Sequence, residues 1–123
     1  MNIVTQFNDK VNFVDENDVF VGYDLVQCCC EYADWYLSFN KQNDKIDDVD
    51  HIVNSQSWDV SGYVFDTNYF NEKSIGESTL VEFRLVKPQS KNIYLTLFNV
   101  QNGYYSHGFE AKIKDVVWKE GYI

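Results

Sequence analysis

Apolar and polar positions alternate most clearly in the second half of the chain. Residues 78–87 place an apolar side chain at every second position, which is the period of a strand with one buried face. Residues 93–100 are almost continuously apolar, as in a strand at the centre of a sheet. Pro88 cannot donate a ladder hydrogen bond, so we expect a turn at residues 88–92 between these two strands.

A tight turn and a third strand are predicted to follow. Asn102 and Gly103 both tolerate positive φ angles, and this dipeptide is a strong hairpin signal. Residues 104–114 then alternate, with Phe109, Ala111 and Ile113 facing inward and Glu110, Lys112 and Lys114 facing outward. The three segments together predict an antiparallel meander.

Shorter strands are predicted nearer the start of the chain. Residues 11–14 and 19–25 are apolar stretches on either side of a polar turn at residues 15–18, which has the length of a hairpin loop. Strand character resumes at residues 57–66, after a polar and acidic segment at residues 40–50 that we interpret as a loop.

Between these segments the period changes to that of a helix. Apolar or aromatic residues follow the spacing i, i+3, i+4, i+7 at Leu25, Cys28, Cys29, Tyr32, Trp35, Tyr36 and Phe39. Asp24 can cap this helix, with Gln27 at the third position. We therefore predict an α+β fold in one domain, residues 1–123: a mostly antiparallel sheet with one main helix packed on one face.

Composition favours a folded protein with a proper core. The chain has 123 residues, of which 45% are hydrophobic and 17% aromatic, so it can bury enough surface to offset chain entropy. No stretch approaches the length of a membrane helix, and the start lacks the features of a signal peptide. The three cysteines are adjacent and form no disulfide framework, so a cytoplasmic protein is expected.

Charge is distributed unevenly along the chain. Residues 1–72 carry fourteen Asp and Glu against three Lys and Arg, whereas residues 73–123 carry five against seven. Binding to nucleic acid is disfavoured, because the phosphate backbone would repel the acidic part. A basic protein partner fits better, since complementary fields speed encounter. The alternative is that the acidity serves only solubility.

The adjacent cysteines Cys28, Cys29 and Cys30 could be a metal site, a catalytic thiol or part of the core. Adjacent cysteines diverge on a helix and on a strand, so they cannot converge on a metal ion, and neither a metal nor any other cofactor is expected. A catalytic thiol would need a linked base, and no sequence pattern connects His51 or His107 to the run. Packing as small buried hydrophobes is the interpretation we favour.

Two clusters are candidates for contact with a partner. Asp44, Asp47, Asp48 and Asp50 lack the Gly and Glu of a calcium loop, so they are either a solvated loop or a source of electrostatic steering. Tyr104, Tyr105 and His107 lie beside the predicted tight turn, in a composition typical of recognition surfaces. Packing of these tyrosines on the helix is the alternative interpretation.

Two short motifs carry a resemblance. Residues 27–31, QCCCE, resemble the Gln-Asp-Cys-Cys-Glu signature of an uncharacterised family of small phage and bacterial proteins, with Cys28 in place of its Asp. Residues 102–106, NGYYS, are similar to the Asn-Gly-Tyr-Tyr-Ser near the end of those proteins. The resemblance covers about a tenth of the chain and implies an origin in mobile elements or the bacterial cytoplasm, without implying an activity.

Three functions remain open from the sequence. The first is a non-catalytic immunity or inhibitor protein of bacterial or phage conflict that blocks a basic partner such as a toxin, with the acidic residues steering and the tyrosines anchoring. The second is a small cysteine-dependent enzyme that uses one of Cys28, Cys29 and Cys30. The third is an accessory phage protein. The sequence does not choose an oligomeric state.

Overall fold

The computed structural model describes residues 1–6, 9–26, 31–39, 59–75, 78–101 and 106–123. In these ranges the chain forms nine strands: β1 Asn2–Gln6, β2 Lys10–Val14, β3 Val19–Asp24, β4 Glu31–Ser38, β5 Val64–Ile75, β6 Ser78–Val86, β7 Ile93–Gln101, β8 Gly108–Ile113 and β9 Val116–Tyr122. No helix in the described ranges has the length and apolarity needed to span a membrane.

The strands form two antiparallel sheets. A five-stranded sheet has the order β1-β2-β3-β8-β9, and a four-stranded sheet has the order β4-β7-β6-β5. The described part of the chain is therefore all-β, and the predicted α+β class is wrong. The antiparallel pairing expected from the alternation is confirmed.

The predicted helix is the main error, because its second half is strand β4. This strand pairs with β7 along its whole length, from Glu31 opposite Gln101 to Ser38 opposite Tyr94. Ala33 and Leu37 are buried on one face and Tyr36 on the other. Because both faces of β4 carry apolar side chains, the two-residue alternation of a strand is hidden and a helical spacing can be read instead.

The three-strand meander is correct only for its first two strands. β6 pairs with β7 over the predicted residues, with Glu82 opposite Thr96. β8, in contrast, pairs with β3 and β9 in the other sheet. The chain thus crosses between sheets after Gln101, although the inward positions predicted for Phe109 and Ala111 are confirmed by their burial.

The core lies between the two sheets. One cluster of buried apolar residues draws on both, including Phe13 and Val21 from the five-stranded sheet and Phe83 and Leu97 from the four-stranded sheet. Aromatic rings meet across the interface: the centroids of Phe13 and Trp35 are 5.1 Å apart in an edge-on arrangement. The sheets therefore pack face to face as a β-sandwich.

Polar groups also join the two sheets. The Tyr23 hydroxyl, on a fully buried side chain of β3, donates to the Phe98 carbonyl of β7 at 2.9 Å. The buried Asp15 carboxylate accepts from Asn17 and Val19 in its own turn, and from the Phe65 N–H of β5 at 2.8 Å. These bonds satisfy groups that would otherwise be buried without partners, and they fix how the sheets are aligned.

Candidate functional site

The outer face of the five-stranded sheet contains a groove of about 700 Å³, which we call the sheet-face groove. Its rim and floor come mainly from the outward positions of β2, β3, β8 and β9, because side chains alternate between the two faces of each strand. Its lining includes Lys10, Gly22, Asp24, Gly108, Glu110, Glu120 and Tyr122. A second depression of about 550 Å³ lies on the same face beside Phe20.

Glycines make the floor of the groove low, and aromatic rings lie against them. A Cβ atom at Gly22 would come within 2.9 Å of the Phe20 ring, so this ring lies directly over the glycine. At Gly108 a Cβ atom would be 3.4 Å from the ring of Tyr122, its partner across β8 and β9. Tyr122 nevertheless remains 77% exposed. The groove is thus bounded by an aromatic ring with free surface.

The side chains of the groove carry an excess of negative charge. Asp24, Glu110 and Glu120 supply three carboxylates, whereas Lys10 supplies one ammonium group. Lys10 lies opposite Asp24, which pairs unlike charges, but Glu110 lies directly opposite Glu120, which places like charges together. A like-charge pair directly across two strands is destabilising, so the fold gains nothing from this arrangement.

One ion pair borders the groove. Lys112 Nζ lies 2.7 Å from Glu110 Oε1, and both side chains are about 40% exposed. Hydrogen bonding to Glu110 raises the pKa of Lys112. Exposed pairs of this kind contribute little to stability, so Glu110 can exchange this contact for another at small cost.

The neighbouring sheet edge is poorly suited to strand addition. Strand β9 contains a bulge at Trp118, because Ala111 pairs with Lys119 while Lys112 pairs with Val117. Lys119 points to the core side, where its Nζ lies 5.2 Å from the centre of the Phe70 ring. Bulges and inward-pointing charges are devices that prevent an edge strand from pairing with another chain. A partner is therefore better received by the face of this sheet.

The four-stranded sheet carries a different polar cluster on its outer face. The Tyr69 hydroxyl donates to the fully buried carboxyl group of Glu82. The Arg84 guanidinium donates twice to Asp66 Oδ2, at 2.6 and 3.0 Å, and its carbon lies 4.5 Å from the centre of the Tyr69 ring. Because these side chains bond to one another, the cluster has a structural role within the four-stranded sheet.

The cluster shifts the acidity of its members. Hydrogen bonding to Arg84 lowers the pKa of Asp66, and the bond to Asp66 raises the pKa of Arg84. Burial, followed by the Glu82 carboxylate, raises the pKa of Tyr69. Each shift stabilises the form that the cluster already contains, so these groups are held in one protonation state near neutral pH.

His107 does not lie on an exposed surface. Its side chain is 2% exposed, and Nδ1 donates to the Asp24 carbonyl at 2.7 Å, since a carbonyl oxygen can only accept. Its backbone N–H and C=O groups pair with those of Ile123. A histidine in this position joins β3 and the start of β8, and we therefore leave it out of the interface proposed below.

The other residues predicted for a site lie outside the described ranges. They are the acidic residues Asp44, Asp47, Asp48 and Asp50 and the tyrosines Tyr104 and Tyr105. Cys28, Cys29 and Cys30, for which packing as buried hydrophobes was favoured, also lie outside these ranges. Their roles stay predictions. Within the described ranges, no group of three or more His, Cys, Asp or Glu side chains is arranged to hold a metal ion.

Sequence reasoning missed the sheet-face groove, although a signal for it exists. Gly22 and Gly121 interrupt strand-like segments, and glycine inside a strand often marks close approach by another group. These glycines and the charged residues around them come together in one sheet only through the long-range pairing of β3 with β8, which itself pairs with β9. The pattern within each strand does not reveal that pairing.

Comparisons with protein-family models, with curated protein sequences and with solved structures find no match to this chain.

Proposed function

We propose that the protein is a non-catalytic binding protein that acts in the bacterial cytoplasm and blocks a basic protein partner, as immunity and inhibitor proteins of bacterial and phage conflict systems do. The observation that carries this proposal is the sheet-face groove, whose lining has the three carboxylates Asp24, Glu110 and Glu120 and the single ammonium group of Lys10, with Lys112 paired to Glu110 at its border. Negative potential in a concave surface concentrates a positively charged partner and accelerates its association.

The exposed aromatic ring of the groove supports the same function. Tyrosine is enriched in protein interfaces, because its ring supplies apolar contact area and its hydroxyl supplies a hydrogen bond. Tyr122, at 77% exposure, has this surface available beside Glu120. The bulge and inward Lys119 of β9 disfavour pairing at the edge, so the face of the sheet is the better docking surface.

The direct test is complex formation with the protein encoded by the neighbouring gene, measured by calorimetry and by inhibition of that protein's activity. We expect a complex whose dissociation constant rises at least about tenfold between low and physiological salt, as charges across the interface are screened. Replacing Glu110 and Glu120 together by Gln should weaken it further, chiefly by slowing association.

The matched control is Glu72→Gln, which removes one negative charge from an exposed position outside the groove. It should leave the dissociation constant within about twofold of the original value, since a single distant charge is screened. Absence of any complex with the neighbouring gene's product, together with unchanged activity of that product, would contradict the proposed function.

A further inference from the structure

We propose that the sheet-face groove binds an arginine side chain of the partner, with the guanidinium group beside Glu110 and Glu120 and against the ring of Tyr122. This inference rests on the proposed function and names the chemical group that the groove recognises. It starts from the direct opposition of Glu110 and Glu120 across β8 and β9. Side chains at such positions have Cβ atoms about 5 Å apart and project on the same side.

A cation between these two carboxylates would remove an unfavourable interaction that the free protein retains. Glu120 has no ion pair with any described residue, and the pair between Glu110 and Lys112 is exposed to solvent. Since like charges opposite each other destabilise a sheet, a bound cation gains from both carboxylates at once. The gain exists only in the complex, which is the property expected of a recognition site.

The shape of the groove selects a planar cation. The Tyr122 ring lies against Gly108, so one side of the ring contacts the floor while most of the side chain is exposed. A guanidinium group can stack on such a ring and donate two parallel hydrogen bonds to a carboxylate. A lysine ammonium has a compact charge and lacks this flat fork, so it satisfies fewer of these contacts.

The other residues of the groove are also compatible with a bound guanidinium group. Gly22 lies directly opposite Glu110 in the pairing of β3 with β8, and the Phe20 ring lies over it, so this flank of Glu110 is apolar and carries no competing charge. Lys10 lies opposite Asp24 on β3. Of the three carboxylates of the groove, Asp24 is the one whose strand is furthest from the strand of Glu120, β9. The negative potential is therefore concentrated where Glu110 and Glu120 meet.

The test is a titration of the isotope-labelled protein with L-argininamide, followed by nuclear magnetic resonance. We expect saturable shifts at the amides of Glu120 and Tyr122 and at the Glu110 and Glu120 carboxyl carbons, with a dissociation constant on the order of millimolar for so small a ligand. Lysinamide, which has the same charge, should bind at least about threefold more weakly because it cannot stack or fork.

Variants localise the site without threatening the fold, because the changed side chains are exposed. Glu120→Gln and Tyr122→Ala should each raise the dissociation constant for argininamide at least about threefold. Glu72→Gln should leave it unchanged. Equal dissociation constants for argininamide and lysinamide, or a dissociation constant for argininamide that Glu120→Gln leaves unchanged, would overturn the inference.

The two proposals can fail separately. If the complex with the neighbouring gene's product forms but argininamide causes no shift in the groove, the arginine inference is wrong and the proposed function survives. If argininamide binds as expected but no such complex exists, the proposed function is wrong while the groove remains a receptor for guanidinium groups.

Discussion

The Asp15 carboxylate joins the β2–β3 turn to the opposite sheet. It accepts hydrogen bonds from Asn17 and Val19 in the turn, and from the Phe65 N–H at the start of the other sheet's β5. Asp15→Ala would leave the Phe65 N–H buried without its acceptor, and we expect a loss of about 2–4 kcal/mol in the free energy of unfolding. Urea denaturation monitored by tryptophan fluorescence measures this loss.

A second aspartate provides the control for Asp15. Asp59 accepts a comparable bond from the Ser61 N–H in an exposed turn, without a partner from across the sandwich among the described residues. Asp59→Ala should destabilise much less, because water replaces the acceptor that the side chain supplied. Equal losses for the two variants would show that the link between Asp15 and Phe65 contributes nothing.

Asp66 makes the stability of the protein depend on pH in the acid range. Its pKa is lowered by hydrogen bonding to Arg84 and then by the Asn68 N–H. A carboxyl whose pKa is depressed on folding stabilises the protein above its unfolded value of about 4, and loses this contribution as the pH falls through the folded value. We expect the unfolding free energy of the native protein to fall below pH 4 more steeply than that of Asp66→Asn.

The same denaturation series separates this effect from general acid unfolding. Other carboxylates titrate in both proteins, so the difference between the native protein and Asp66→Asn isolates the contribution of the pair with Arg84. If the two curves remain parallel from pH 7 to about pH 3, the lowered pKa of Asp66 makes no contribution to stability.

A comparison of Tyr69 with Tyr63 shows whether a hydrogen bond to a buried carboxylate contributes more to stability than one to a backbone carbonyl. The Tyr69 hydroxyl donates to the fully buried Glu82, whereas the Tyr63 hydroxyl donates to the Lys91 carbonyl at 2.9 Å. Tyr69→Phe should cost about 1.5–3 kcal/mol, because it leaves the buried carboxylate without this donor. Tyr63→Phe should cost about 0.5–1.5 kcal/mol. Thermal unfolding of both variants gives the comparison, and equal losses would contradict it.

At the scale of the element, β6 and β7 could be predicted as strands from the sequence, whereas β4 could not. In β6 the core residues Val81, Phe83 and Leu85 recur at every second position, so the strand and its core face could be assigned from the sequence, although its outer face is also buried at Leu80 and Glu82. β4 buries Ala33 and Leu37 toward the core and Tyr36 on the opposite face. Residues 32 and 36 share a face in a helix and also in a strand, so their spacing could not distinguish the two. The aromatic residues of this segment favoured the strand.

Lys119 is the residue that we expect to prevent strand β9, at the edge of its sheet, from pairing with a strand of another chain. Its ammonium group lies over the Phe70 ring on the core side of the edge, where an added strand would have to bury a charge. Lys119→Val would replace that charge with a β-branched apolar residue of high strand propensity. We expect the variant to self-associate, with a measurable fraction of larger species by light scattering at concentrations where the native protein shows none.

A lysine outside the edge supplies the control for Lys119. Lys87 is exposed directly after the end of β6, and Lys87→Val makes the same change in charge and hydrophobicity without altering a strand edge. It should leave the size distribution unchanged. Association of both variants to the same extent would indicate loss of charge as the cause, instead of an exposed edge.

At the scale of the whole molecule, the sequence did not predict which strands belong to the same sheet. The antiparallel pairing of β6 with β7 follows from adjacent sequence patterns, because neighbouring strands usually pair. The placement of β8 beside β3 joins segments about ninety residues apart, and no local pattern specifies it. The sheet-face groove depends on that pairing, so its residues could be recognised only as separate charges and glycines before the fold was known.

Because of the net negative charge of the whole molecule, we expect added salt to stabilise the folded protein and to weaken its complex with a basic partner. With a formal net charge of −9, the folded chain repels itself, and salt should reduce that repulsion. We expect the melting temperature of the free protein to rise by a few degrees between about 20 and 200 mM sodium chloride, while the complex with its basic partner weakens over the same range. Scanning calorimetry and binding calorimetry measure the two effects on one preparation. A partner contact made only by apolar side chains would be insensitive to this change or strengthened by it, so an affinity that stays constant or rises with salt would exclude electrostatic recognition through the sheet-face groove.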